Sequence, residues 1–286
     1  MSKDESKDEY LITDVPLKAL TVFAMPMILG SFFQQVYNMA DSIIVGQFVG
    51  SSALAAVGAC AALTNVFICV ALGAGVGAGV LVSRYFGARN YSKMKTIVST
   101  SLISFLVLSV LLGIFGFGLS HPMMSLLQTP ADILDEAVLY LRVYFVGFPF
   151  LFMYNILSTM FTSIGESKIP LVLLIFSSVL NILMDLWMVA GLRLGVFGAA
   201  LATLIAQGIS AVFSFVIFFC RMRRYKSHFD WFDRKELRSM LQIAIPSILQ
   251  QSTVSIGMMI VQAVVNPFGT QAVSYTHLTL PTILRV

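Results

Sequence analysis

Two aspartates set in long apolar runs are the residues of this chain best placed to do chemistry. Asp41 lies in Tyr37-Asn38-Met39-Ala40-Asp41-Ser42-Ile43-Ile44-Val45, and Asp185 closes Asn181-Ile182-Leu183-Met184-Asp185. A charge at the centre of a membrane helix is unfavourable by about 2.5–3.5 kcal/mol. A chain that keeps a carboxylate there uses it for ion or proton handling and surrounds it with partners. Helical spacing supplies candidates for those partners. Gln34, Asn38 and Asp41 share one stripe, Ser177, Asn181 and Asp185 recur every four residues, and Thr203, Gln207, Ser210 and Ser214 share another face. Two carboxylates in a poorly hydrated cavity do not both stay ionised unless a cation joins them. Such a site holds a proton, or a sodium ion among oxygens from Asp41, Asn181, Asp185 and Thr203. Gln34, Asn38, Ser177 and Gln207 are candidates to line a cavity. For Ser177, Gln207, Ser210 and Ser214 the simpler expectation is a hydrogen bond to a neighbouring helix.

Composition says what kind of element must carry these groups. Of 286 residues, 58% are hydrophobic and only 11% charged, and the mean hydropathy is +0.88. Soluble domains carry roughly a quarter charged residues, so the chain reads as an all-α polytopic membrane protein. Its apolar stretches are long enough for helices, whereas barrel strands would alternate. The formal charge of +4 does not indicate nucleic-acid binding, because the basic residues sit between spans. Cys60, Cys69 and Cys220 fall within or at the ends of apolar spans without a CxxC pair, which predicts packing rather than disulfides or metal ligation. His121, His228 and His277 lie in loops or the tail, with no carboxylate cluster at ligand spacing. A membrane metalloenzyme is therefore disfavoured. With no nucleophile–base pair either, the chain is expected not to be an enzyme and to need no cofactor beyond a coupling ion. No signal peptide is expected in Met1–Asp14.

Seven spans are expected, at 19–46, 53–82, 96–119, 137–163, 170–190, 196–220 and 240–265. Lysine and arginine cluster in the N-terminal arm (1–18), after the second span (Arg84, Arg89, Lys93, Lys95) and after the sixth (Arg221 to Arg238). The intervening loops are poor in them. The positive-inside rule then places the N-terminus on the cytoplasmic side of a cell (cytoplasmic or inner) membrane. The run Gly73-Ala74-Gly75-Val76-Gly77-Ala78-Gly79 sits inside a span and so predicts two overlapping GxxxG packing faces rather than a phosphate loop. Pro26, Pro149 and Pro246 interrupt their spans and predict kinks, with a hinge conceivable at Pro26. Trp231, Phe232 and the surrounding basic residues fit a cytoplasmic helix at the interface, beside anionic lipid, within a linker at 221–239. Beyond it the chain echoes its own beginning. Leu17-Lys18-Ala19-Leu20 and Ala24-Met25-Pro26 recur as Leu237-Arg238-Ser239-Met240 and Ala244-Ile245-Pro246, offset by 220 residues. Six spans lie between the copies, the parallel-repeat plan of some transporters. The domains expected are a six-helix lobe at 19–220 and the first helix of a second, truncated lobe at 240–273. Residues 274–286 read as a foreign, adapter-derived tail.

Depth agrees with spacing. At about 1.5 Å per residue, Asp41, Asp185 and Thr203 each lie roughly 10 Å from the outer ends of their spans, with Asn181 one turn deeper. Here the sequence resembles a known family. Gln34-Gln35-Val36-Tyr37-Asn38-Met39-Ala40-Asp41, with Val45-Gly46 after it, is similar to the first helix of multidrug and toxic compound extrusion (MATE) transporters. Asn181 to Asp185 and Gly195-Val196-Phe197-Gly198-Ala199-Ala200-Leu201-Ala202-Thr203 resemble that family's fifth and sixth helices. The resemblance covers about residues 15–273 and points to the DinF-like branch, whose acidic pair lies in the N-lobe. The residues here that match it are Asp41, Asn181, Asp185 and Thr203. The NorM-like branch has an acidic residue in its seventh helix, and Ser247–Asn266 has none. The resemblance implies twelve helices in two lobes around a central cavity, monomeric when full length. It also implies H⁺- or Na⁺-coupled export of small amphipathic, often cationic compounds. An exporter of lipid-linked saccharides ranks second, because a pyrophosphate would need basic residues inside the spans and only Arg142 comes near. A seven-helix receptor ranks lower, since the repeat predicts further helices and 240–266 has no lysine for retinal.

Overall fold

The computed structural model describes residues 15–225 and 228–269. Seven helices follow one another: α1 (Pro16–Phe48), α2 (Ser51–Gly87), α3 (Tyr91–Leu126), α4 (Leu134–Ser163), α5 (Lys168–Asp185), α6 (Gly195–Met222) and α7 (Arg234–Val265). A π-helical turn, Leu186–Gly191, continues α5, and a 3₁₀ turn, Asn266–Phe268, ends α7. All seven helical segments are long and apolar enough to cross a membrane, and the chain is an all-α polytopic membrane protein. Most of the helices outrun the spans expected from hydropathy. α2 has 37 residues, about 55 Å at about 1.5 Å per residue, against about 30 Å of hydrocarbon. The turns at either end are polar and give no hydropathy signal, yet hydrogen bonding carries the helices through them. Asn90 caps α3 by accepting from Lys93 N at 3.1 Å, and Asp233 caps α7 by accepting from Lys235 N at 2.7 Å.

Contacts between helix ends show how the chain alternates. Tyr85, near the end of α2, donates to Glu236 at the start of α7, and Ser83 donates to the carbonyl of Ser163 at the end of α4. Arg221, at the end of α6, pairs with Glu166 in the α4–α5 connection at 3.4 Å. These ends, with the start of α3, form one basic end of the bundle. At the far end, Asn266 donates to the carbonyl of Leu127 after α3, and Cys60 donates to Ala137 O at 3.3 Å. The two repeats end their first helices alike, on glycines in the positive-φ region, Gly50 at 117° and Gly269 at 95°, where a side chain would be strained.

α4 is the centre of the core. Its Phe145, Phe148 and Phe152 are buried and meet Phe67 of α2 and Phe105 of α3 edge-on or tilted, with centroids 4.9–6.0 Å apart. Gly198, Ala202, Ala206, Ser210 and Ser214, four residues apart, form a buried row of small side chains on α6, and α6 meets α4 through Leu204 beside Gly147, Gly208 beside Phe150 and Phe218 edge-on to Phe161. The glycine run of α2 works as the two expected faces. A Cβ on Gly73 would come within 2.6 Å of the Ile248 backbone, and one on Gly77 within 2.6 Å of Ala244 Cβ, both on α7. On the other face, a Cβ on Gly75 would meet Thr159 at 2.8 Å and one on Gly79 would meet Ser163 at 2.7 Å, both on α4. α2 is thus wedged between α4 and α7. α1 is the most exposed of the seven and rests chiefly on α5.

Pro26, Pro149 and Pro246 lie inside continuous helices. One expectation needs correction. The α6–α7 connection forms no separate interfacial helix among the described residues. Residues 228–233 are extended, and Arg234 already belongs to α7, so the linker is shorter than 221–239. The reason lies on α3, whose first turns carry a ladder of hydroxyls. Ser92 and Ser99 donate to the carbonyls of His228 and Trp231, while Thr96 and Thr100 accept from the amides of Asp230 and Asp233. These bonds satisfy the linker backbone in an extended form and remove the need for helix there. Trp231 and Phe232 remain exposed. The proposed tail at 274–286 lies outside the described residues, as does most of the N-terminal arm.

Candidate functional site

α1, α5 and α6 meet at the level expected from the sequence. Asp185 is fully buried and Asn181 nearly so, while Asp41 and Thr203 are half-buried. Asp41 and Asp185 hydrogen-bond to each other. A carboxylate is acceptor-only, so this contact requires a proton on one of the two. Asn181 bridges the pair to α6 when its amide nitrogen faces the carboxylate. In that orientation Nδ2 donates to Asp185 Oδ2 at 2.7 Å, and Oδ1 accepts from Thr203 N and Oγ1, both at 3.2 Å. The opposite orientation sets oxygen against carboxylate and bonds Thr203 Oγ1 alone. The bridging orientation is the better satisfied one.

The two Oδ1 atoms complete the picture. Asp41 Oδ1 and Asp185 Oδ1 are buried, and neither accepts a hydrogen bond from an N–H or hydroxyl donor among the described residues. Buried polar atoms are almost always paired, so these carboxyl oxygens need a proton between them or a cation beside them. Neutral oxygens of Asn181 and Thr203 lie beside them. Hard cations prefer oxygen ligands, and the same set suits a proton shared between carboxyls.

The backbone changes form at this point. The π turn begins at Leu186, directly after Asp185, and closes with Leu192 N to Trp187 O at 2.9 Å. Such widened turns occur often at functional sites. Three tyrosines also escaped the reading of the sequence. Tyr37 hydrogen-bonds Thr203, and Tyr140 lies close enough to interact with Asp41, Tyr37 and Tyr144. Their signal was present: Tyr37 is one turn before Asp41, and Tyr140 and Tyr144 share a face of α4.

The remaining candidates divide. Gln34 Nε2 donates to Asn38 Oδ1 at 3.3 Å along α1, and Asn38 is exposed. Pro26 is buried in the first half of α1, and Ser177 is half-buried on α5. Gln207 lines a small cavity with Thr203. The helix-to-helix bonds expected of Ser210 and Ser214 are not made. Both hydroxyls are buried without a partner among the described residues, in the row of small buried side chains on α6.

The fold is that of an all-α polytopic membrane protein with an acidic pair set between its helices. The family description MatE matches residues 26–187, over half of the chain, and the chain belongs to the MatE family. It is 31% identical over 265 residues to the "Probable multidrug resistance protein YpnP" of Bacillus subtilis, covering 90% of this chain and 58% of the relative. With the "Multidrug export protein MepA" of Staphylococcus haemolyticus it shares 28% identity, over 90% of this chain and 57% of that protein. A solved structure described as "Crystal structure of MATE in the straight conformation" superposes with a TM-score of 0.82 at 28% identity, covering 94% of this chain and 61% of the other. The chain therefore spans less than two thirds of the length of these relatives.

Proposed function

We propose that this chain is the N-lobe, with the first helix of the C-lobe, of an antiporter that uses H⁺ or Na⁺ to export small amphipathic, often cationic compounds. The basic end of the bundle faces the cytoplasm and the far end faces outward across the cytoplasmic membrane. Asp41 and Asp185 take up the coupling cation from outside, with Asn181 and Thr203 as neutral ligands. Filling the site neutralises the carboxyl oxygens and changes how α1 packs on α5, with Pro26 as the place where α1 gives. Gln34 and Asn38, on α1, line the substrate cavity. The observation that carries this reading is the carboxyl–carboxyl contact of Asp41 and Asp185, whose buried Oδ1 atoms accept from no N–H or hydroxyl among the described residues. The names of the relatives support drug export as the transported class.

The test is Asp41→Asn in the full-length protein, reconstituted in vesicles with an imposed proton or sodium gradient. Asparagine keeps the size and loses the charge, so gradient-driven efflux should fall to the level of empty vesicles while the protein still inserts and folds. Unchanged efflux under either gradient would sink the proposal.

A further inference from the structure

α4 turns Tyr140 and Tyr144 toward the acidic site, and its opposite side carries a charge with no part in that chemistry. Arg142 stands two residues from each tyrosine, about 200° around an α-helix, and it is exposed. Leu139 and Val146, one turn to either side of it, are exposed as well, as are Ile114 and Phe117 on α3. Apolar side chains exposed on helices of membrane-spanning length face lipid, so Arg142 is a cation set in a lipid-facing surface. It forms no ion pair among the described residues, and no carboxylate lies three or four residues from it along α4. Its guanidinium carbon instead sits 5.6 Å from the centroid of the Phe117 ring. That cation–π contact holds the charge over the groove between α3 and α4.

Depth decides what this charge meets. Trp231 is exposed at the basic end, its carbonyl held by Ser99 of α3, and tryptophan favours the membrane–water interface. Phe117 lies about five turns further along α3, about 27 Å at about 1.5 Å per residue. The hydrocarbon layer is about 30 Å thick, so Phe117 and the guanidinium over it come to the opposite boundary, where lipid phosphates begin. α4 starts at that far end, and a Cα–Cβ bond tilts toward the N-terminus of its helix. Arg142 therefore leans outward to the headgroups, as a long basic side chain near the end of a span does. We propose that the groove between α3 and α4 holds one phospholipid of the leaflet at the far end of the bundle. Its phosphate pairs with the Arg142 guanidinium, whose planar fork matches phosphate oxygens two at a time. An acyl chain runs inward from there along Val146 and Ile114. The lipid ties α4, the centre of the core, to the level of the headgroups, and the site does not depend on cation coupling at Asp41 and Asp185.

The test uses the full-length protein in uncharged maltoside micelles with phosphatidylglycerol that carries a photoreactive diazirine beside its headgroup. Peptide mapping after illumination should place adducts on residues 114–117 and 139–146. Unlabelled phosphatidylglycerol should compete them away, whereas diacylglycerol with the same chains and inorganic phosphate should not. Arg142→Gln should cut the yield at these segments about tenfold, as the loss of a charge-assisted contact implies, and leave adducts at the basic end unchanged. Adducts on the parent protein that avoid both segments overturn the proposal without recourse to any variant. So does a yield that Arg142→Gln leaves unaltered, or that diacylglycerol lowers to the same extent as phosphatidylglycerol, since either assigns the groove to apolar contact alone. Displacement by inorganic phosphate overturns a lipid as the occupant.

Discussion

Gly77 offers the sharpest test of how this bundle is held together. In Gly77→Ala the new Cβ would lie 2.6 Å from Ala244 Cβ, 2.8 Å from Met240 O and 2.9 Å from Ala244 N. Carbon atoms rest at about 3.5–4.0 Å, so α7 must retreat by about 1 Å, and two of the three obstacles are backbone atoms that cannot swing aside. A radial gap of about 0.5–1 Å forfeits a quarter to a half of the contact attraction along a seam that includes Gly73 against Ile248 and Cys69 against Ser255. Overpacking of this kind costs about 1–3 kcal/mol. Gly118→Ala on α3 is the control, because nothing lies within 4 Å of a Cβ there. Both variants gain the same helix propensity, about 0.5–1 kcal/mol, so their difference isolates the steric part. Unfolding in mixed micelles, followed by circular dichroism, should find Gly77→Ala less stable than Gly118→Ala by about 1–3 kcal/mol. A local reporter exists as well. Cys69 Sγ lies 3.2 Å from Ser255 Oγ, so Ser255→Cys should cross-link with Cys69 in a background lacking Cys60 and Cys220. Adding Gly77→Ala should lower the yield. Equal stability of the two alanine variants, with an unchanged cross-link, would refute the account of the α2–α7 seam.

Two further outcomes follow from single hydroxyls. Thr203→Val keeps the shape of the side chain but takes one donor from Asn181 and the partner from Tyr37. Thermal or denaturant unfolding should show a loss of about 1–3 kcal/mol, the cost of leaving buried groups unpaired, and a variant as stable as the parent contradicts the bridge. Thr100→Val removes the acceptor for the Asp233 amide at 3.0 Å. That bond contributes about 1 kcal/mol, a factor of about five in local opening. Hydrogen exchange at residues 229–233 should quicken by about that factor, with α3 itself unaffected, and unchanged exchange there removes the hydroxyl ladder as the linker's anchor.

The number and order of the helices were legible in the residues because each is a long apolar run, and a backbone in hydrocarbon must satisfy its hydrogen bonds within the helix. The acidic site was legible for a related reason. Asp41, Asp185, Asn181 and Thr203 are conspicuous because polar groups in such runs are few, and a shared depth on three helices follows from a rise of about 1.5 Å per residue. The two faces of the glycine run could likewise be read from spacing alone, since alternate glycines in a helix point to different neighbours.

Other features depended on which surfaces meet. Spacing could name Ser210 and Ser214 as polar, but packing decided that their row on α6 is buried with no partner in reach of either hydroxyl among the described residues. The linker had the composition of an interfacial helix, yet Ser92, Thr96, Ser99 and Thr100 of α3 hold it extended from more than a hundred residues away in sequence. Tyr140 and Tyr144 share a face of a long apolar helix, and only the packing of α4 sets them beside Asp41 and Thr203. Periodicity reports what a segment offers along its own axis, and so the residues alone determined seven helices and a charged site. Contacts between segments depend on crossing, depth and rotation together. Only the packed bundle decided that the two carboxyls touch, that each buries an oxygen away from every N–H and hydroxyl donor among the described residues, and that a π turn follows directly after Asp185.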